Sequence, residues 1–230
     1  MDDDLYQLDS LDSVYHPWLK EKTKILIQLI EGKKILDVGC GNGNLIKLLS
    51  KTNMDLSGSD FSEDYLKKAK IKNPGIEFFR GDLTDQDFWK PYENSFDTVI
   101  CSEVIEHLEH DKIALDIIFS ILKPNGVVIV TVPALSFLYS NFDSKVGHYR
   151  RYSKKGLTKI VEESGFKVEN SRYWNFLGMF GWFFFFKIMK KDIQSVSNSF
   201  FSNILGNWLK IESKFLFPIG QTLILKARKN

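Results

Sequence analysis

The sequence predicts an α/β fold: a doubly wound, mostly parallel sheet of seven strands, with an apolar helical insert before the last strand. Three observations carry this. Short apolar or β-branched runs alternate with stretches whose apolar residues recur at helical spacing. Three early strands each lead into an acid, at Asp37, Asp60 and Asp82. The first of them breaks into a glycine-rich turn, Gly39 to Gly43, which runs straight into an apolar helix.

The elements follow in order. Met1–Val14 is an acidic lead without the basic and apolar regions of a signal peptide, so a cytoplasmic protein is expected. His16–Ile30 has the spacing of an amphipathic helix, and Gly32 ends it. Lys33–Val38 is strand one and Asn44–Lys51 the helix after it. Asp55–Asp60 is strand two, and Ser62 can cap a helix to Lys72. Asn73-Pro74-Gly75 is a turn before strand three, Ile76–Gly81. Phe96–Cys101 reads as a fully buried strand four, and His110–Leu122 as a helix. A Lys123-Pro124-Asn125-Gly126 turn precedes strand five, Val127–Val132. Pro133–Tyr152 is a long connection with little periodicity, which marks it as functional. Ser153–Ser164 is a helix closed by Gly165, Phe166–Tyr173 is strand six and Thr222–Arg228 the last strand.

The chain has 230 residues, 43% hydrophobic and 26% charged, which suits one soluble α/β domain with an elaboration. The net charge of +2 does not argue for a nucleic-acid partner. Cys40 and Cys101 are the only cysteines; they offer neither a disulfide framework nor a zinc set, and no metal is expected.

Chemistry concentrates around the glycine turn. Without Cβ atoms, Gly39, Gly41 and Gly43 let the backbone approach a ligand. Asp60 stands at about the distance expected for a ribose-binding acid. A dinucleotide fingerprint would be G-x-G-x-x-G, but here the spacing is G-x-G-x-G, and position 44 is Asn.

Taken together, these blocks resemble a class I S-adenosylmethionine-dependent methyltransferase. The matching residues are D-V-G-C-G-N-G at 37–43, the acid at 60, G-D-L at 81–83, F-D-T-V-I-C-S-E-V-I-E-H at 96–107 and L-K-P-N-G at 122–126. The 96–107 block is especially similar to small-molecule O-methyltransferases of the ubiquinone-biosynthesis type. The resemblance implies that Gly39, Cys40 and Gly41 pass under the methionine part of S-adenosyl-L-methionine, with Asp37 at its amino group. It implies Asp60 on the ribose, Phe61 against the adenine, Asp82 at the adenine amino group and the Leu83 backbone at the ring. Ser102 and Glu103 stand where the family contacts the methionyl end. The product would be S-adenosyl-L-homocysteine.

Methyl transfer to oxygen benefits from alignment and from a general base. His107, just past strand four, and His148, in the long connection after strand five, are the candidates. Lys145, His148, Arg150, Arg151, Lys154 and Lys155 gather positive charge in a short span, interleaved with Tyr149 and Tyr152. Arginine forks suit carboxylates and phosphates, so an anionic or phosphorylated acceptor is expected at Tyr149, Arg150, Arg151 and Tyr152. The H-Y-R-R-Y run partly resembles methyltransferase-like proteins of glycan or lipid assembly.

Phe176–Phe186 has eleven residues without a polar side chain, followed by Lys187, Lys190 and Lys191. It is too short to span a bilayer, which takes about 20 apolar residues. A second apolar helical pattern runs from Phe200 to Leu216. This segment reads as extra core for a helical subdomain, a hydrophobic cover, a membrane-interface contact or a homodimer face through 174–218. The divisions expected are a lead and helix (1–32), a cofactor-binding core (33–173), the aromatic-rich insert (174–219) and the last strand (220–230). The function expected is methyl transfer to an oxygen of a small or lipid-linked acceptor. N-methylation, or cofactor binding without turnover, are the alternatives.

Overall fold

The structure is a computed structural model that describes residues 12–189, 207–212 and 215–230. Most of the acidic lead, Lys190, Lys191 and most of the second apolar pattern therefore lie outside the described residues.

A sheet of seven strands forms the centre. The strands are β1 (Lys34–Val38), β2 (Asp55–Asp60), β3 (Glu77–Arg80), β4 (Phe96–Ser102), β5 (Leu122–Pro133), β6 (Phe166–Trp174) and β7 (Thr222–Lys229). Their spatial order is β3-β2-β1-β4-β5-β7-β6. All neighbours pair in parallel except β7, which is antiparallel to both β5 and β6. The order reverses beside β1, so β1 and β4 open a crevice at their carboxyl ends.

The helices that pack on the sheet or extend its loops include α1 (Asp12–Leu29), α2 (Asn44–Leu49), α3 (Glu63–Lys72), α4 (Gln86–Trp89), α5 (Asp111–Ile121), α6 (Asn141–Lys145), α7 (Lys154–Glu163) and α8 (Phe176–Trp182). Side chains of one strand alternate between the two faces. Ile35 of β1 joins Leu26, Leu45, Ile46 and Ala69 on one face. Its neighbours Leu36 and Val38 join Leu115, Ile118, Leu157 and Val161 on the other. Central strands apolar on both faces are what a parallel sheet covered on both sides requires.

Local signals fix the helix starts. The Ser62 hydroxyl caps α3 by accepting from Tyr65 N, and the Ser153 hydroxyl caps α7 by accepting from Gly156 N at 3.0 Å. Two departures from the sequence expectation matter. Helix α1 begins before His16 and carries Pro17 inside it. The connection after β5 also holds a short helix, α6, opened by a capping box between Ser140 and Asp143. Five residues are too few to show a helical period.

Candidate active site

The carboxyl ends of β1, β2 and β4 build the site. Gly39, Gly41 and Gly43 have φ of 66°, 52° and 74°, where a side chain would be strained. Cys40 N–H donates to the Ser59 carbonyl at 2.9 Å, tying the turn to β2. Asp60 completes the tie. Its Oδ2 accepts from Gly41 N–H at 2.8 Å and its Oδ1 from Ser62 N–H at 2.9 Å. Burial pushes the Asp60 carboxyl up, while the backbone N–H groups of Ser62 and Gly41 work against the rise.

A cavity of about 140 Å³ adjoins this turn, lined by Leu19, Lys22, Asp37, Gly39, Cys40, Asn44, Leu45 and Ser102. Four residues expected at a cofactor thus meet in one place: Asp37, Gly39, Cys40 and Ser102. Asp37 is buried, and desolvation pushes its carboxyl up to about 8 although Lys22 opposes the rise. The Cys40 thiol is raised by burial first and by Asp37 and Asp60 next, so it is not a thiolate.

Lys22 is the participant the sequence reading missed. It projects from α1 and is 1% exposed. Its ammonium donates to Ser102 Oγ at 2.8 Å, lies 3.4 Å from Glu103 Oε1 and sits 4.0 Å from the centre of the Trp18 ring. Burial lowers its pKa, and Glu103 opposes that. The signal available was the aromatic–lysine pair at i,i+4, Trp18 and Lys22. Glu103 has φ of 57°, an uncommon conformation for this residue type. Its N–H donates to the Thr131 carbonyl at 2.8 Å and its Oε1 accepts from the Thr131 hydroxyl at 2.9 Å.

The remaining cofactor candidates lie toward β3. Phe61 is 64% exposed beside the Asp60 turn. Asp82 is exposed, and its Oδ1 accepts from the N–H and hydroxyl of Thr84 at 2.8 and 2.7 Å. The Leu83 side chain is buried.

A second cluster adjoins Glu103. His107 and His148 stand edge to face with ring centres 4.6 Å apart. Burial and His148 push His107 down to about 4, so it is a neutral imidazole at pH 7. His148 Nδ1 lies 3.0 Å from Asp143 Oδ1. Glu106 is fully buried, and neither carboxylate oxygen has a hydrogen-bond partner. Burial, and then the Glu103 carboxylate, raise it well above the ordinary range. Among the described residues, Glu106, His107 and His148 form a group whose ligand-capable atoms lie within 4.8 Å of one another, close enough to share a cation.

The Tyr149–Tyr152 run divides. Tyr149 is exposed, and Arg150 donates to Asp111 Oδ2 at 3.0 Å and to the Glu109 carbonyl at 2.8 Å. Arg151 turns inward: it is 5% exposed, and its Nε donates to Asp143 Oδ1 at 2.8 Å. Tyr152 is also buried, and its hydroxyl donates to Asp111 Oδ2 at 2.7 Å. The polar groups of Arg151 and Tyr152 are thus engaged with the Asp143 and Asp111 carboxylates.

Helix α8 continues as a wide turn over Phe183–Ile188 and docks on this same connection. Trp182 Nε1 donates to the Leu138 carbonyl at 3.3 Å, and the Arg151 guanidinium lies 4.6 Å from the centre of a Trp182 ring. Phe180, Phe183, Phe184, Ile188 and Met189 face outward. No helix among the described residues is long and apolar enough to cross a membrane.

A family model described as a methyltransferase domain matches residues 13–171. The chain belongs to this methyltransferase family. It is similar to a demethylmenaquinone methyltransferase of Renibacterium salmoninarum, 30% identical over 59% of this chain and 54% of that one. It is also similar to a ubiquinone biosynthesis O-methyltransferase of Aeromonas salmonicida, 26% identical over 57% of this chain and 54% of that one. The methyltransferase thus spans about half the length of these curated relatives. Among solved structures it resembles a SAM-dependent methyltransferase from Archaeoglobus fulgidus, with TM-score 0.63, 21% identity, and 92% and 93% of the two chains covered. That likeness shows the fold. The family is the class I S-adenosylmethionine-dependent one, and its cofactor is S-adenosyl-L-methionine. The residues present fit this group. A Cβ at Gly41 would meet nothing within 4 Å, so the turn offers open space beside the cavity. Asp37 and Lys22, which line the cavity, match the ammonium and carboxylate of an amino-acid arm.

Proposed function

We propose that this methyltransferase transfers a methyl group from S-adenosyl-L-methionine to an oxygen of a small or lipid-linked, anionic acceptor, leaving S-adenosyl-L-homocysteine. The observation that carries the reading is the imidazole pair beside Glu103, with ring centres 4.6 Å apart. When bound, the cofactor supplies an electrophilic methyl on a sulfonium, so the protein's work is alignment and removal of the acceptor's proton. Asp60 holds the ribose hydroxyls, Asp37 the ammonium and Lys22 the carboxylate of the methionyl arm. Phe61, Asp82 and Leu83 border the adenine. His148 is the base that takes the hydroxyl proton. His107, neutral through burial, flanks it.

The relative named for O-methylation in ubiquinone biosynthesis supports an oxygen acceptor. Tyr149 and Arg150, near the surface of the His148 connection, are the groups we assign to the acceptor's anion. Arg151 and Tyr152 act from beneath, by fixing Asp143 and Asp111. The outward aromatic face of α8 supports a lipid-linked acceptor or a membrane-interface contact.

The test is methyl-labelled cofactor offered to catechol-type phenols, hydroxy acids and amines, with and without anionic liposomes. The expected result is label in an ether linkage on a phenol, lost in His148→Gln. Label on amines alone, or cofactor binding without any labelled acceptor, overturns the reading. Liposome flotation of Phe180→Ser/Phe184→Ser beside the parent protein checks the lipid arm: flotation of the parent lost in the variant supports it, and no flotation of the parent argues for a soluble acceptor.

One observation favours a variant of this mechanism. The Glu106 carboxyl group is buried without a partner beside both imidazoles. A divalent cation on Glu106, His107 and His148 would then polarise the acceptor oxygen in place of a free base. Activity lost in EDTA and restored by added magnesium, manganese or zinc would select it.

A further inference from the structure

The strongest unassigned group is Asp143. It is fully buried on α6, and its two oxygens do different things. Oδ2 closes the capping box, accepting from Ser140 N–H at 2.9 Å and lying 3.0 Å from the Ser140 hydroxyl. A capping role is complete with that oxygen alone. Oδ1 faces the other way, 2.8 Å from both Arg151 Nε and Nη2, and 3.0 Å from His148 Nδ1.

We propose that Asp143 is the positioning residue of His148: its carboxylate holds the imidazole in the Nδ1–H tautomer and leaves the Nε2 lone pair facing away from Asp143. The chemistry follows from the partners. Arg151 places both Nε and Nη2 2.8 Å from Asp143 Oδ1, and Ser140 N–H donates to Oδ2, an arrangement of donors that suits an ionised carboxylate. An ionised carboxylate only accepts, so the proton between Oδ1 and Nδ1 belongs to the ring. The residue around that ring is held as well. His148 N–H donates to the Asp143 carbonyl at 2.8 Å, and its own carbonyl accepts from the Tyr139 hydroxyl at 2.7 Å. His107 closes one side of the ring. Asp143 thus grips His148 at both backbone and side chain, and Arg151 keeps Asp143 ionised. A carboxylate behind an imidazole serves equally whether Nε2 takes a proton or a cation. The inference rests on the reading that His148 acts on the acceptor only for its catalytic consequence; the tautomer stands independently.

The test is proton–nitrogen NMR on protein with nitrogen-15 in its 4 histidines, with the His148 ring assigned by its loss in His148→Gln. The expected result is a protonated Nδ1 and an unprotonated Nε2 in the wild-type protein at neutral pH. Asp143→Asn should populate Nε2–H, because the amide can donate to Nδ1. It leaves Arg151 buried without its charge partner. If it does not fold, Asp143→Asn/Arg151→Gln removes both charges and serves the same comparison. A wild-type ring in the Nε2–H form, or one spectrum shared by wild type and variant, overturns the proposal. Methyl transfer to catechol separates the two readings. If both hold, Asp143→Asn lowers kcat at least about tenfold at unchanged cofactor KM, with no further loss on a His148→Gln background. Full activity of His148→Gln refutes the role of His148 in transfer and leaves the tautomer result intact.

Discussion

Lys22 donates to the Ser102 hydroxyl at 2.8 Å, bringing a helix that precedes the sheet onto the carboxyl end of β4, 80 residues away. This contact makes α1 a wall of the candidate cofactor site and puts a cation near Glu103, Glu106 and Asp37.

A buried ammonium that meets the methionyl carboxylate makes a charge-assisted hydrogen bond, worth about 1.5–3 kcal/mol. Lys22→Met should therefore weaken binding of S-adenosyl-L-homocysteine by roughly ten- to a hundredfold in a calorimetric titration. An affinity within about twofold of the parent would remove Lys22 from the cofactor site.

Two of the three glycines in the turn, Gly39 and Gly41, should fail differently. At Gly39 an added Cβ would lie 2.4 Å from Val104 Cγ2, whereas at Gly41 it would enter open space. Both positions have positive φ, which costs a side chain about 1–2 kcal/mol. Thermal unfolding should rank Gly39→Ala as the less stable protein. Gly41→Ala should fold but bind S-adenosyl-L-homocysteine poorly, since its methyl group stands in the cradle. The opposite ranking in stability would contradict the geometry.

Asp37 sets the pH dependence of cofactor binding. Burial raises its carboxyl from 3.8 to about 8, so at pH 7 the free protein holds it mostly protonated. With the folded pKa raised, Asp37's contribution to stability is fully present below about 3.8 and is lost as pH rises toward about 8. The cofactor's ammonium favours the ionised form, so binding at pH 7 should release a proton and tighten as pH rises to about 8. Calorimetry in two buffers of different ionisation enthalpy reads that proton directly. The expected release is close to one proton in the parent and none in Asp37→Asn; zero release in both would refute the coupling.

Much of this molecule was legible in its sequence because the determinants are local. The glycine turn with Asp37 and Asp60, the caps at Ser62 and Ser153, and the β-branched run of β5 each state their role within a few residues. Lys22 was not legible. Its place depends on how α1 packs across the end of β4; the Trp18–Lys22 spacing pairs the two side chains but does not say that the pair will be buried. The Arg150-Arg151 pair divides in a way that neighbours in sequence do not announce. Arg150 stays near the surface with Asp111, while Arg151 meets Asp143 in the interior. Asp143 itself lay inside a segment too short for periodicity, although Ser140 and Asp143 have the spacing of a helix start.

The most direct measurement is a titration of S-adenosyl-L-homocysteine into the parent protein and into Asp60→Ala. Asp60 holds both the glycine turn, through Gly41, and the start of the next helix, through Ser62. Saturable one-to-one binding in the parent and at least about a hundredfold weaker binding in Asp60→Ala are expected, from a lost charged acceptor and a loosened turn together. No binding to the parent, or equal affinity in the two proteins, would contradict the cofactor site described for this methyltransferase.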